Sequence, residues 1–204
     1  MKRLIVVLLL VLAGAVVASA CAQSVSSETG YRCRSAEFHE DGTLKKCKLL
    51  EPVTIEGYPC KRWVRFYPNG HLKQLELSRD HSVQGIRVPA TSNVFLHDDG
   101  VLESCWIWKD VLIQGIPCDG GWGKMSVSFH RNGKLKHCFL SEHTEIQGIP
   151  CRASVFRIVG FHPSGKLKEC TLSRNHVIDG REYRKGSELH FDEAGSVQPV
   201  PEED

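Results

Sequence analysis

The residues best suited to chemistry in this chain are cysteines, histidines and a few large aromatics, and most of them recur at fixed intervals. Cys47 and Cys60, Cys105 and Cys118, and Cys138 and Cys151 each lie thirteen positions apart. Two chemistries want thiols in register, zinc ligation and disulfide formation. Structural zinc sites favour Cys-x2-Cys spacing and four ligands, and neither pattern occurs here. One disulfide within each of three repeats is therefore expected, each closing a short loop worth about 3 kcal/mol in the chain-entropy model. Leu75 and Val88 stand at the same spacing in a sibling repeat, and an apolar pair replacing a thiol pair points to inward-facing neighbours. Cys33 and Cys170 are left over from opposite ends of the series. A sheet rolled until its ends meet would let them cross-link. An open array would hold them far beyond the roughly 7 Å that a disulfide allows between Cα atoms. Both arrangements are open at this stage.

His39, His97, His130 and His162 each stand just before a turn, with Tyr67 in the same place in one repeat. A ladder of metal ligands is one reading. Equivalent positions two strands apart lie about 9–10 Å from each other, whereas zinc needs each nitrogen within about 2.1 Å. The histidines are read as exposed turn-flanking side chains, and no metal or cofactor is expected. For acyl chemistry, Ser126 and Ser128 lie on a strand face, and no Gly-x-Ser-x-Gly elbow occurs. Gly120-Gly121-Trp122-Gly123 lacks the Gly-Lys-Ser/Thr ending of a phosphate loop. A paired-carboxylate hydrolase needs no fixed spacing, so a hydrolase-like enzyme stays as an alternative to the expected non-enzymatic role.

The aromatic departures from the repeat are more informative. One place after the first cysteine position, sibling repeats hold Lys48, Glu76, Trp106, Phe139 and Thr171, and two places further on Trp108 replaces serine or leucine. The insertion 119–124 carries Trp122 between the same two repeats. Clustered exposed aromatics mark contact surfaces, so Trp106, Trp108, Trp122 and Phe139 form the candidate binding face. The competing reading is a small second core.

Hairpins must position all of these residues. Gly42, Gly70, Gly100, Gly133 and Gly165 each follow a turn signature such as YPNG or HPSG, and Gly57, Gly85, Gly115, Gly148 and Gly180 lie fifteen positions after them. A period of about thirty residues indicates a repeat architecture. A three-residue loop with glycine in the left-handed position of a G1 bulge fits each signature. That register pairs Phe38 with Leu44, Phe66 with Leu72, Leu96 with Leu102, Phe129 with Leu135, Phe161 with Leu167 and Phe191 with Val197. Two strands are read in each repeat, with a second bend before residues such as Ile146. Beyond the turn the apolar parity slips in every copy, which requires either a β-bulge or a sheet covered on both faces. The fold class is all-β: tandem antiparallel hairpins forming a rolled or twisted meander sheet, stapled by disulfides.

The stretches FYPNGHLK and FHPSGKLK resemble variant MORN-type repeats over the hairpin half of each copy. The resemblance implies antiparallel β arrays and a scaffolding or binding role, with protein or membrane contacts.

At the ends, Lys2 and Arg3 followed by the apolar run Leu4–Val17 and small residues read as a signal peptide over 1–22. Cys21 is either a lipidated first residue or lost with the signal, which leaves eight cysteines for an oxidising compartment. Residues 23–29 read as a flexible tether, 30–199 as the repeat domain and 200–204 as an acidic tail. The net charge of +2 includes Lys2 and Arg3, so the mature chain is formally neutral. No one-sided surplus suggests a nucleic-acid groove, and the turn lysines read as charged strand edges. The expected protein is an exported envelope binding or scaffold module in the periplasm, on the outer membrane or secreted. Its partner would be a protein or an envelope polymer, with membrane contact only through a lipid on Cys21. A purely structural envelope component is the other alternative.

Overall fold

The structure, a computed structural model, describes residues 25–26, 30–121 and 127–198. Residues 1–22, expected to be a signal peptide, with Cys21, together with Trp122 and the tail 200–204, lie outside the described residues. Among those described there is no helix. One long antiparallel sheet runs through the molecule in chain order. It starts at Val25–Ser26 and Arg32–Phe38, and ends at Glu188–Phe191 and Val197–Gln198. Val25 and Ser26 pair with Cys33 and Arg32, so the sheet already begins inside the stretch expected to be a flexible tether. There the edge of Arg32–Phe38 finds backbone partners that water would otherwise supply.

All six apolar pairs flanking the turns form as expected, from Phe38 with Leu44 to Phe191 with Val197. The loops have the expected geometry too. The amide of His130 donates to the Lys134 carbonyl, that of Gly133 donates to the His130 carbonyl, and Gly133 takes φ 79°. A β-carbon is disfavoured at that φ, which is why glycine holds the place in every copy. The register shifts by one residue beside the turn in each of the five full copies. The slipped parity is therefore a repeated β-bulge, not a second covered face.

The sheet has a buried side built from continuous rows. One row reads Cys47, Val64, Leu75, Val94, Cys105, Val127, Cys138, Val159, Cys170 and Leu189 across successive strands, all buried. The turn pairs Phe66–Leu72, Leu96–Leu102, Phe129–Leu135 and Phe161–Leu167 form another. What covers these rows was not resolved in the sequence reading of two strands per copy. Each copy carries a further short hairpin: Val53–Ile55 with the start of Tyr58–Phe66, then His81–Val83 with Ile86–Val88, Val111–Ile113 with Ile116–Cys118, Thr144–Ile146 with Ile149–Cys151, and His176–Ile178 with Arg181–Tyr183. Their two-residue turns put Glu56, Gln84, Gln114, Gln147 and Asp179 at φ near 50° and the following glycine at φ near 80°, the pair of left-handed conformations of a type I′ turn. Ile55, Val83, Ile113 and Ile146 from these hairpins join the sheet residues in one core.

The short hairpin of one copy serves the next. Gln114 Nε2 donates to the Gly133 carbonyl and its Oε1 accepts from the Leu135 amide, at 2.8 and 3.0 Å. Gln84 holds Gly100 and Leu102 in the same way, and Gln147 holds Gly165 and Leu167. Glu56 accepts from the Leu72 amide. Each bulged turn leaves strand-end backbone groups unpaired, and the preceding copy's glutamine pairs them. Copy therefore locks to copy through polar clamps as well as through the core.

That arrangement overturns the expected cysteine pairing. Cys47 is bonded to Cys33, with Cα atoms 5.5 Å apart, so neither Cys47–Cys60 nor Cys33–Cys170 forms. Cys105, Cys118, Cys138 and Cys151 are not joined within their own copies either, and the thiols of Cys60 and Cys170 are likewise free and buried. The second cysteine of a copy lies at the end of the short hairpin, which hands the chain on to the next copy. The backbone register reads Cys33 with Leu49, Cys60 with Leu77, Cys118 with Leu140 and Cys151 with Leu172. Each second cysteine thus stands diagonally across from the first cysteine position of the following copy. The first and last strands of the sheet do not pair with each other, so the array is an open twisted meander and no end-to-end staple closes it.

Candidate functional site

With one sheet face buried in the core, the opposite face is free to vary. A single transverse row crosses it: Glu37, Lys46, Arg65, Gln74, Phe95, Ser104, Ser128, His137, Gly160, Glu169, His190 and Gln198. At the N-terminal end the row is basic. Lys46 bonds Glu37 at 2.9 Å, and its ammonium also lies 4.4 Å from the ring of Trp63, with Lys48 on the same ring. In the middle the row turns aromatic, where Phe95 packs against Trp106 with ring centroids 5.1 Å apart.

Trp106 is 46 % exposed and Trp108 is 53 % exposed. Both therefore stand at the surface. Trp108 is also fixed in place, since its indole N–H donates to the Ala90 carbonyl. The place that Trp106 occupies is not open in every copy. Glu76 and Thr171 are buried there, and Phe139 is half-buried. Phe139 therefore belongs partly to the packing of its own copy. Trp122 lies outside the described residues. Phe95 was missed by the sequence reading, although a signal existed. The alternation Val94 in, Phe95 out, Leu96 in places it where sibling copies carry Glu37, Arg65, Ser128, Gly160 and His190. Trp63 was missed as well, because the bulge between Lys61 and Val64 shifts its parity.

Beside Trp106 the face dips into a groove of about 420 Å³, lined among others by Glu103, Ser128, Arg131, Lys136 and His137. Ser128 Oγ lies 3.0 Å from His137 Nδ1. Burial, with Lys136 beside it, holds His137 below the ordinary imidazole value, so the ring is neutral near pH 7 while it shares this hydrogen bond with the serine hydroxyl. This pairing resembles half of a nucleophilic dyad. Ser104, Ser128 and His137 sit in the middle of paired strands, where the ladder occupies the backbone amides that an oxyanion would need. The groove therefore offers apolar stacking and both signs of charge, which suits binding better than acyl transfer.

The histidines before the turns take a different part from the expected one. His39, His130 and His162 are not free surface groups. His39 Nε2 lies 3.2 Å from the Phe66 carbonyl, His130 Nε2 2.8 Å from that of Phe161, and His162 Nε2 2.8 Å from that of Phe191. Tyr67 donates its hydroxyl to the Leu96 carbonyl in the same place. Each carbonyl ends the strand entering the next turn, so the side chain satisfies an acceptor that the bulge leaves open. A donor-bearing ring is the requirement, which explains why tyrosine substitutes for histidine. Among the described residues no cluster of histidine, cysteine, aspartate and glutamate is arranged to hold a metal ion. Two of the turn lysines also do more than charge a strand edge. Lys134 and Lys166 reach carbonyls of Ser164 and Glu193 in the following turns.

Each turn is thus tied to the next along the array, and the matched family fits that geometry. Residues 60–79 match the repeat family described as MORN repeat variant. The match spans the hairpin from Cys60 through the Tyr67–Gly70 turn to Arg79, and the other copies repeat its pairs, bulge and glycine geometry. No curated protein matches the chain. MORN repeats are generally associated with binding or scaffold roles, and the family is typically non-catalytic.

Proposed function

We propose that this protein is a non-enzymatic binding module of the cell envelope, in which a MORN-type array presents the Trp106 face to a partner protein. The observation that carries this reading is the exposed Phe95–Trp106 pair, with Trp108 anchored nearby, where a transverse row of mostly polar residues turns aromatic. Aromatic anchors beside mixed charges match the composition of interface centres. The charged groove wall of Glu103, Arg131 and Lys136 would orient the partner. The export reading of residues 1–22, with Cys21 either lipidated or lost with the signal, supports a location in the periplasm, on the outer membrane or outside the cell. An envelope polymer and a purely structural role are the competing outcomes. The test is affinity capture from envelope extract with wild type beside the Trp106→Ala, Trp108→Ala double variant. A protein retained by wild type and lost by the variant supports the proposal. Retention of polymer alone supports a polymer ligand. Equal capture by both proteins removes the Trp106 face from the function.

A further inference from the structure

The cysteines outside the established bond fall into two kinds, and the register separates them. Cys33 lies across the ladder from Leu49, diagonal to Cys47, and is bonded to it. Cys118 lies across from Leu140, which puts it diagonal to Cys138. Cys151 lies across from Leu172, diagonal to Cys170. These are the same relation in two further copies. The thiols of each pair act on one another, for Cys138 is the leading cause of the raised value of Cys118, and Cys151 of that of Cys170. Cys60 lies across from Leu77, and its diagonal place is held by Leu75. Cys105 stands where its counterpart from the preceding copy is Val88.

We propose that the mature protein carries three staples between successive copies, Cys33–Cys47, Cys118–Cys138 and Cys151–Cys170, while Cys60 and Cys105 remain permanent thiols. Each new staple joins the short hairpin of one copy to the main strand of the next, across the seam that Gln114 and Gln147 also clamp. Forming a staple removes two protons and two electrons from the thiol pair. The oxidant is a disulfide, either of a protein or of a small molecule. One cysteine thiolate attacks it, breaking its S–S bond and releasing one sulfur as a thiolate, to give a mixed disulfide, and the second cysteine thiolate then displaces the other sulfur, so the oxidant ends as two thiols. The neighbouring thiol of each pair, together with burial, raises the Cys118 and Cys170 values, which disfavours the thiolate once the copies have packed. The exchange therefore takes place while the chain is folding. Cys60 and Cys105 find Leu75 and Val88 where a partner thiol would stand, and burial pushes both up to about 12 once the copies have packed, which keeps them as thiols.

The experiment uses the full chain refolded with oxidised glutathione, alkylated in denaturant without reduction, and digested with trypsin and a glutamate-specific protease. Cleavage at Glu142 or Glu145 is needed, because no lysine or arginine lies between Cys138 and Cys151. The expected products are linked peptides for the three proposed pairs, with the alkyl label on Cys60 and Cys105. Links within a copy, a Cys60–Cys105 link, or label on Cys118, Cys138, Cys151 and Cys170 would each overturn the assignment. A Cys118→Ser variant supplies the control. It should free Cys138 to the label and leave the Cys151–Cys170 peptide intact, and loss of both links would show that the pairs are not separate staples.

Discussion

The two faces of the sheet carry the same strands and obey different constraints. On the inner face, Val64, Val94, Val127 and Val159 alternate with Leu75, Cys105, Cys138 and Cys170, and the copies are nearly interchangeable. On the outer face the equivalent row passes from Lys46 and Arg65 to Phe95, then Ser128 and His137, then Glu169 and His190. The inner face is uniform because each copy buries its apolar side only against its neighbours, so every copy must present a compatible surface. The outer face bears no such restriction. A departure there, such as Phe95 with Trp106, contributes little to folding and is the natural place for recognition.

The largest effect expected from breaking this contrast lies inside. Leu102→Ala truncates a side chain that is 1 % exposed and should cost about 2–5 kcal/mol, read as a lowered denaturant midpoint with an unchanged slope. A loss under 1 kcal/mol would mean that the inner rows are not the common core.

An intermediate effect is expected at the seams between copies. Gln114→Asn keeps a residue that tolerates the left-handed φ of 49° but is too short to hold both Gly133 and Leu135. The cost should be about 1–2 kcal/mol for the lost backbone pairing, with amide exchange quickened first at Leu135. Exchange that rises evenly over the whole chain would contradict a local clamp.

On the outer face, Trp106→Ala should shift stability by less than about 1 kcal/mol, as a surface substitution does, while lowering partner capture sharply. If the melting temperature falls as far as for Leu102→Ala, Trp106 belongs to a second core and the contrast between the faces fails.

The smallest effect is the pH response of the groove. His137 is held below its ordinary value of 6.5, chiefly by burial. The unfolded chain then takes up a proton at a higher pH than the folded chain. The stability that His137 contributes is complete above about pH 6.5 and declines as pH falls toward the lowered folded value. His137→Asn should flatten that part of the stability profile relative to wild type. An unchanged slope, or a ring resonance titrating above its ordinary value, would show that the imidazole is not held neutral in the groove.

Local physics made much of the fold legible before any coordinates. Glycine at a positive φ, the turn signatures and the Phe–Leu pairs are consequences of short-range sterics and pairing, and all six pairs stand where the spacing put them. The short hairpins were within reach too, since Glu56-Gly57 and Gln114-Gly115 are left-handed turn pairs flanked by alternating apolar residues. Phe95 could have been found by carrying strand parity through one more copy. What the sequence could not decide was which copy a side chain would meet. Cys47 has cysteines at comparable separations on both sides, and chain spacing favours neither. The choice of Cys33 follows from the short hairpin leaning forward onto the next copy, a packing direction set by the shared core and by clamps such as Gln114 on Gly133. The same long-range choice turned His39, His130 and His162 from surface groups into bonds between copies. Spacing along the chain therefore determined the unit, and only the tertiary structure decided how one unit is fastened to the next, because that depends on contacts between residues whose separation differs at every seam.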